Sequence, residues 1–256
     1  TGDAYVDHPS YGTAVIGRVL EDAGFTVGVI AQPNWRSTKD FTRLGEPRLF
    51  FGITSGNTDS MIANYTANKK IRSNDEYAPG NQGGLRPDRA VIVYANRLRE
   101  AFKNTPLVLG GIEASLRRFA HYDYWDNAVR RSILIESRAD ILVYGMGERA
   151  VLEIAGRLAA GEAMSTIDNV RGTVIVKKDL PQRSNVKELP ASESVATDHD
   201  AYNRSFQGIY HSMDPFLAEV VVQRHDTRFV IQNPPPLPLP TKELDHIYEL
   251  PYAYDS

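Results

Sequence analysis

The sequence contains no cysteine among its 256 residues. This absence excludes disulfide bonds, a thiolate nucleophile and any zinc or iron–sulfur site with cysteine ligands within the chain. The histidines form no His-Glu-x-x-His motif, and neither a Gly-x-Ser-x-Gly elbow nor a Walker phosphate-binding loop occurs. The sequence therefore predicts no self-contained catalytic residues and no metal site in this chain.

A strong net charge and long apolar runs are also lacking. The 29 basic and 32 acidic side chains give a formal net charge of -3, so nothing indicates a nucleic-acid partner. No apolar run approaches the roughly 20 residues of a membrane-spanning helix, and no leader segment is visible. We therefore expect a soluble, cytoplasmic protein without a membrane partner. The hydrophobic content of 42% is sufficient for a folded core.

Apolar runs that end in small or polar residues alternate with helical periodicity through residues 1–163. Predicted strands cover 25–30, 48–54, 106–109 and 139–144, and predicted helices cover 13–23, 59–67, 88–102, 128–136 and 148–160. This alternation predicts an α/β fold, Rossmann-like, with a mostly parallel sheet and helices on both faces.

The pattern changes near Met164. Residues 171–178 and 219–232 are rich in β-branched residues and predict antiparallel strands, with a helix over 198–212 between them. We therefore predict a smaller α+β segment over residues 164–233.

Residues 234–256 are predicted to be a proline-rich linker followed by a short helix. The run 234–240 (PPPLPLP) must be extended, because proline cannot continue a helix or a central strand. The helix is predicted over 241–248, with Thr241 as its cap. A weak functional hypothesis is that the proline run recruits a protein partner. A spacer between domains explains the run more simply.

Ligands of parallel α/β sheets bind beyond the carboxyl ends of the strands, where this chain has glycine-containing loops. Glycine lacks a Cβ and permits close approach of a ligand or of another backbone segment, and the two interpretations are about equally supported. Glu113 is either an acceptor for a ribose or base, or a cap for the following turn. Residues 145–148 lead into a predicted helix, and the amino terminus of such a helix can bind an anion. The dinucleotide-binding motif Gly-x-Gly-x-x-Gly is incomplete, because Ala150 stands in place of its third glycine. The cofactor-binding candidates are Ser55, Gly56, Gly110, Gly111, Glu113, Gly145 and Gly147.

Residues 110–127, predicted to be a loop, gather basic and aromatic side chains. Arginine suits phosphate or carboxylate groups, whereas pairing with Asp123, Asp126 or Glu136 on a solvated helix face is the simpler explanation. Tyrosine can stack on a flat ring, but we expect packing against another domain. The candidates for substrate or interdomain contact are Asp7, His8, Arg117, Arg118, His121 and Tyr124.

Another loop, over residues 69–87, is rich in asparagine, glycine and proline. A loop of this length is usually a lid, a partner contact or a disordered segment. The sequence supports function and plain flexibility about equally.

Several motifs together resemble the amino-terminal portion of the YgiQ-type radical SAM proteins. The likeness covers nearly the whole chain, and several of the motifs are long. The motifs are 1–17 (TGDAYVDHPSYGTAVIG), 30–35 (IAQPNW), 51–58 (FGITSGNT), the loop 77–89 and above all 110–125 (GGIEASLRRFAHYDYW).

The resemblance implies that this chain is a fragment. In that family a radical SAM barrel follows, and its Cys-x3-Cys-x2-Cys motif holds a [4Fe-4S] cluster that reductively cleaves S-adenosylmethionine to a 5′-deoxyadenosyl radical. The motif comes shortly after a segment like 249–252 (ELPY). The chain would then bind no cofactor itself and be inactive alone. Its partner would be the missing barrel of the same protein, and the substrate is unknown.

The resemblance also implies an α/β domain similar to the cobalamin-binding-like domains that precede many such barrels. The cobalt-ligating Asp-x-His-x-x-Gly motif is not matched, because Asp7 and His8 are adjacent and Gly12 lies four positions beyond His8. Bound cobalamin is therefore only an alternative. The alternative function is a non-catalytic Rossmann-like module that holds a nucleotide or corrinoid at the loops after the strands.

Overall fold

The computed structural model describes residues 1–254 as a seven-stranded sheet, a separate two-stranded hairpin and surrounding helices. The strands are β1 (Phe51–Ile53), β2 (Leu107–Leu109), β3 (His121–Asp123), β4 (Ala128–Arg130), β5 (Ile141–Val143), β6 (Thr173–Lys177), β7 (Val186–Leu189), β8 (Val220–His225) and β9 (Arg228–Gln232). The α-helices are α1 (Gly12–Asp22), α2 (Ser60–Asn64), α3 (Ala90–Ala101), α4 (Gly111–Leu116), α5 (Ile133–Ser137), α6 (Glu148–Ala159), α7 (Ser192–Thr197), α8 (His199–His211) and α9 (Thr241–Tyr248). The order in the large sheet is β1-β2-β5-β6-β9-β8-β7, and β3 pairs with β4.

Three strands form a parallel unit at one side of the large sheet. β1 pairs with β2, and β2 pairs with β5, so that Ile53 lies beside Leu109 and Leu109 beside Leu142. Every residue of β2 and β5 is buried. Strands buried on both faces need continuous apolar runs, which is why these two were visible in the sequence. The predicted α/β class is confirmed.

The strands of residues 164–233 join the same sheet. β6 pairs antiparallel with β5, β9 with β6, and β8 with β9, while β7 pairs parallel with β8. The antiparallel strands predicted over 171–178 and 219–232 are confirmed as β6, β8 and β9. Division of the chain into domains near Met164 and the Rossmann-like or cobalamin-binding-like assignment stay predictions.

Helices cover both faces of the large sheet because its strands send alternate side chains into two cores. On one face, Leu107 and Leu142 pack with residues of α3 and α5. On the other face, Val108 and Ile141 pack with α6, whose Ile154 is completely buried. Burying one such aliphatic side chain stabilises the fold by roughly 1.5–3 kcal/mol. The covering of both faces is therefore a main source of stability.

The strand predicted over residues 25–30 is wrong. Phe25 and Val27 pack onto the small core between α1 and α6, while Thr26 and Gly28 are exposed. The segment therefore buries only one side and runs along the surface outside the sheet.

The helix predicted over 128–136 is only half right, because its first residues form β4. Val129 lies opposite Tyr122 in the hairpin, and the helix α5 starts only after Ser132. Asn127 at the turn has a φ of 50°, in the left-handed region that asparagine tolerates. Because the chain reverses at this turn and pairs with β3, residues 128–130 form a strand and cannot be the first turn of α5.

Two further details differ from the predictions. Residues 110–127 are not one loop, since they contain α4 and β3. The helix α9 has the predicted bounds, but Pro240 occupies its N-cap position and no side chain caps it. The run 234–240 contains neither helix nor strand, as predicted. Among residues 1–254 no helix combines the length and the apolar character that a bilayer span requires.

Candidate functional site

The loops after β1, β2 and β5 lie side by side at one edge of the large sheet, which we call the carboxyl edge. The Gly110 amide donates to the carbonyl of Ile53 at the end of β1 (2.9 Å). The Gly145 amide donates to Oγ of Ser115 in α4 (3.4 Å). The structure thus brings the predicted glycine-containing loops together. Their role in cofactor binding, including that of Gly147 at the start of α6, stays a prediction.

The amino-terminal segment of the chain already occupies part of the carboxyl edge. Asp3 accepts a hydrogen bond from the Asn57 amide (2.6 Å), and the Gly2 amide donates to the Thr54 carbonyl (3.2 Å). Gly56 has a φ of 110°, and a Cβ at this position would collide with the Asp3 carboxylate. The close approach that Gly56 permits is therefore made by Asp3 of the same chain.

Asp3 also belongs to a buried group of charges that the sequence analysis missed. The Arg86 side chain is completely buried, and its Nη2 lies 2.8 Å from Oδ1 of Asp3 and 3.0 Å from Oδ2 of Asp75. Its Nη1 donates to the Ser55 carbonyl (3.0 Å). Burial raises the pKa of Asp3, while the Asn57 amide and the Arg86 guanidinium oppose that rise. We call Asp3, Asp75 and Arg86 the paired-charge cluster; the length of the loop 69–87 was its only signal in the sequence.

Glu113 is completely buried and holds the starts of two helices. Its Oε2 accepts from the Ser60 amide in α2 (2.9 Å), and its Oε1 accepts from the Val91 amide in α3 (3.1 Å). Burial raises the pKa of Glu113, although these hydrogen bonds favour its charged form. A carboxylate at helix amino termini is stabilising. Both carboxylate oxygens of Glu113 therefore cap helices. The capped helices are α2 and α3, whereas the sequence predicted a cap for the turn that follows Glu113.

The arginines within and just after residues 110–127 are mostly paired with neighbouring acids. Arg117 forms an ion pair with Asp59, which also caps α2. Arg130 pairs with Asp126 (2.7 Å) and Glu136 (2.9 Å), as the simpler explanation expected. Burial lowers the pKa of Arg117.

Arg118 is a buried cation without a carboxylate within ion-pair distance among the described residues. Its Nε donates to Oε1 of Gln232 (2.6 Å), its Nη1 donates to the Ser115 carbonyl (2.6 Å), and its Nη2 lies 3.2 Å from Sδ of Met213. The guanidinium carbon is 5.1 Å from the ring centroid of Tyr144. Burial lowers the pKa of Arg118. All its partners are neutral, so its charge is not compensated locally.

His121 lies in β3, close to Arg118 in the chain, and His225 lies at the end of β8. Nδ1 of His121 is 3.0 Å from the Phe119 carbonyl, and Nε2 of His225 is 3.0 Å from Oε1 of Gln223. Burial lowers the pKa of each histidine to about 4. Both imidazoles are therefore neutral at pH 7.

Tyr124 packs within the chain. Its hydroxyl donates to the Ala67 carbonyl (2.7 Å), and its ring meets that of Trp125 edge to face at 5.5 Å. Nζ of Lys69 lies 4.7 Å from the ring centroid of Tyr124. These contacts join the segment after α2 to the hairpin β3–β4.

Asp7 and His8 bind the last described residues of the chain. Asp7 pairs with Arg18, and its Oδ2 accepts from the Ala253 amide (2.8 Å). The rings of His8 and Tyr254 meet edge to face at 5.3 Å. Hydrogen bonding to Arg18 lowers the pKa of Asp7. The pair thus fastens residues 253–254 beside the amino-terminal segment.

Four exposed apolar side chains come from the segments that contact Arg118, which are α4, the loop after β5 and the loop after α8. Ile112 and Leu116 are four residues apart on α4, so they share one helix face, and they are 44% and 60% exposed. Met146, in the loop after β5, and Met213, which touches Arg118, are 53% and 42% exposed. We call these four residues the apolar edge surface. Clustered apolar exposure of this kind marks sites of interaction.

A cavity of about 430 Å³ lies beside α2 and the start of α3. Its lining includes Trp35, Tyr65, Arg86 and Asp88, but none of the predicted site residues. No pattern in the sequence indicates this cavity, although the long loop 69–87 contributes part of its wall.

Comparison with known proteins gives a family match over the whole chain. The family model described as "Radical SAM N-terminal" matches residues 1–256. A UPF0313 protein of Clostridium botulinum (strain ATCC 19397 / Type A) is 54% identical over 253 residues, which cover 99% of this chain and 39% of the relative. A UPF0313 protein of Methanocella arvoryzae is 54% identical, with 99% and 42% covered, and one of Rhodopseudomonas palustris is 50% identical, with 99% and 40% covered. The chain thus spans about two fifths of the length of these relatives. No solved structure matches the chain.

Proposed function

Because this chain belongs to the radical SAM N-terminal family, we propose that it is the accessory amino-terminal portion of a radical SAM enzyme. Another part of the full-length protein would carry the [4Fe-4S] cluster and bind S-adenosylmethionine. The observation that carries this proposal is the family match over residues 1–256 in a chain that spans 39% to 42% of its relatives.

The residues of this chain do not fit the cluster itself. The sequence has no cysteine, and no group of three or more histidine, aspartate or glutamate side chains among the described residues is placed to hold a metal ion. Thiolates are the usual ligands of iron–sulfur clusters. We therefore assign no catalytic residue to this chain and expect residues 1–256 alone to be inactive.

The carboxyl edge is proposed as one wall of a composite site that the rest of the protein closes. The apolar edge surface would lose its contact with water on docking, which is favourable. Arg118 lies beside this surface with an uncompensated charge, which suits a carboxylate from the substrate or from the rest of the protein.

The position of the last described residues supports this arrangement. The Tyr254 amide donates to the Asp7 carbonyl (2.9 Å). Asn57, in the loop after β1, donates its side-chain amide to the Ser10 carbonyl (3.1 Å), three residues after Asp7. Tyr254 is therefore joined through residues 7–10 to the loop after β1 at the carboxyl edge.

A nucleotide- or corrinoid-binding module is the alternative function, and it has less support. The convergence of the loops after β1, β2 and β5 favours it. However, Asp3 of the same chain fills the space beside Gly56.

The proposal is tested by anaerobic reconstitution of the full-length protein with iron and sulfide, followed by reduction in the presence of S-adenosylmethionine. We expect release of 5′-deoxyadenosine, and its complete absence would contradict the radical SAM assignment. Leu116→Glu should reduce the release, because a charge on the apolar edge surface opposes docking. The matched control is Leu44→Glu, since Leu44 is 57% exposed and precedes the opposite end of β1. Equal losses in both variants would rule out the proposed wall.

A further inference from the structure

The helix α8 turns small residues toward the sheet and large aromatic residues toward solvent. An amphipathic surface helix normally buries its largest apolar side chains. The buried residues of α8 are the small Ala201, Ser205 and Gly208. Phe206 and Tyr210 are instead 62% and 69% exposed. A Cβ at Gly208 would collide with a leucine side chain of β7, so α8 lies close against the sheet. Its aromatic face is therefore available for a contact with another body.

The loop between α8 and β8 continues this exposed face. Phe206, Tyr210 and Met213 follow one another at spacings of four and three residues, so they share one side of the helix and of the turn that ends it. The rings of Phe206 and Tyr210 are nearly parallel, with an interplanar angle of 21° and centroids 6.4 Å apart. Phe216, in the loop, is 76% exposed. We call Phe206, Tyr210 and Phe216 the α8 aromatic surface.

Hydrogen bonds fix the backbone of the loop that carries Phe216. The Phe216 amide donates to Oδ1 of Asp214 (2.8 Å). Nη2 of Arg171 donates to the Pro215 carbonyl (2.6 Å), and its Nε donates to the Pro235 carbonyl (3.0 Å), so the loop is joined to the segment after β9. An aromatic side chain on a backbone that is already ordered loses less conformational entropy when a partner binds.

The α8 aromatic surface adjoins the carboxyl edge. Val221, at the start of β8, lies opposite Gln232, whose side chain accepts from Arg118. Met213, directly after α8, is a member of the apolar edge surface, and its Sδ lies 3.2 Å from Nη2 of Arg118. A body that covers the carboxyl edge therefore reaches the α8 aromatic surface as well.

We propose that the part of the full-length protein outside residues 1–256 packs on the α8 aromatic surface. The inference rests on the proposed function, because it extends the wall assigned to the carboxyl edge. The match covers 39% to 42% of the relatives, so more of each relative lies outside the matched region than inside it, which is enough chain for a further folded body. Burial of aromatic side chains makes such packing favourable, and clustered apolar exposure marks sites of interaction.

The first test is photo-cross-linking in the full-length protein. Phe216→p-benzoylphenylalanine places a photoreactive ring on the α8 aromatic surface, and mass spectrometry identifies the peptide that it joins. We expect cross-links within one chain to residues outside 1–256. Leu44→p-benzoylphenylalanine is the control and should give none, because Leu44 is 57% exposed and precedes the opposite end of β1. Cross-links that join two chains, or no cross-link from position 216, would overturn the inference.

The second test changes the surface and leaves the probe at position 216 in place. Tyr210→Glu puts a charge into the contact and should lower the cross-link yield about tenfold, whereas Tyr210→Phe keeps the ring and should preserve the yield. Tyr210 is exposed, so neither substitution should disturb folding. An unchanged yield with Tyr210→Glu would contradict packing on α8.

Release of 5′-deoxyadenosine from the unsubstituted full-length protein separates this inference from the proposed function. Cross-links without release would contradict the radical SAM assignment and still support the contact. Release without cross-links from position 216 would overturn the contact and leave the radical SAM assignment in place.

Discussion

Two arginines are buried along the carboxyl edge, and they are compensated in opposite ways. Arg86 lies between the carboxylates of Asp3 and Asp75, at 2.8 and 3.0 Å. Arg118 meets only neutral acceptors and an aromatic ring. A buried charge is costly unless it is paired. The chain thus pairs its buried cation near β1 with its own carboxylates, whereas near β5 and β9 the buried cation meets no carboxylate among the described residues.

The largest expected effect is that of removing the paired arginine. Arg86→Met leaves two carboxylates buried without their cation, and it should lower the free energy of unfolding by about 3–5 kcal/mol. Arg118→Met removes hydrogen bonds to neutral acceptors, but it also removes an unpaired buried charge, so the net loss should be only about 1–2 kcal/mol. Urea unfolding of residues 1–256 measures both values.

Arg204→Met is the control for these two substitutions. Arg204 is exposed and its nearest carboxylate, that of Asp198, is 3.8 Å away, so its loss should cost under about 0.5 kcal/mol. If Arg118→Met destabilises the chain as strongly as Arg86→Met, the contrast between the two arginines is wrong.

Acid should weaken the side of the molecule that holds Arg118, because His121 and His225 lie there. Burial lowers the pKa of both to about 4, below the ordinary value of 6.5. Between these values the unfolded chain binds more protons than the folded chain, so the free energy of unfolding falls as the pH falls from about 6.5 to about 4. A folded-state pKa of about 4 against 6.5 in the unfolded chain corresponds to a loss on the order of 3 kcal/mol for each histidine.

The slope of stability against pH tests this assignment. His225→Gln should flatten the slope between pH 6.5 and 4, whereas His199→Gln, at an exposed position, should leave it unchanged. Identical slopes in the two variants would show that His225 does not titrate as its burial implies.

The parallel part of the fold was predictable because burial on both faces leaves a local signature. Leu107–Leu109 and Ile141–Val143 are continuously apolar, and this can be seen without knowing which strands they join. Residues 25–30 carry a similar run, but only Phe25 and Val27 find a core. The strands β3 and β4 contain His121, Asp123 and Arg130, so unlike the equally short β2 and β5 they show no continuous apolar run.

The candidate site was predictable only where strand direction determines it. Parallel strands end at the same edge, so the loops that contain Gly56, Gly110 and Gly145 had to meet. The paired-charge cluster could not be foreseen, because Asp3 and Arg86 come from separate loops and meet only when the amino-terminal segment crosses the end of β1.

The smallest expected effect comes from giving Arg118 the carboxylate that it lacks. Nη2 of Arg118 is 3.2 Å from Sδ of Met213, which is 42% exposed, so Met213→Glu places an acid next to the guanidinium. Relative to Met213→Gln, which has the same size but no charge, it should stabilise residues 1–256 by about 0.5 kcal/mol in urea unfolding.

In the full-length protein the same substitution should act in the opposite direction. If an acid from the substrate or from the rest of the protein pairs with Arg118, the new glutamate competes with it. Met213→Glu should then reduce 5′-deoxyadenosine release relative to Met213→Gln. A glutamate variant that is no more stable than the glutamine variant would mean that the charge of Arg118 is already satisfied. The two buried arginines would then have different neighbours, but neither would need a further carboxylate.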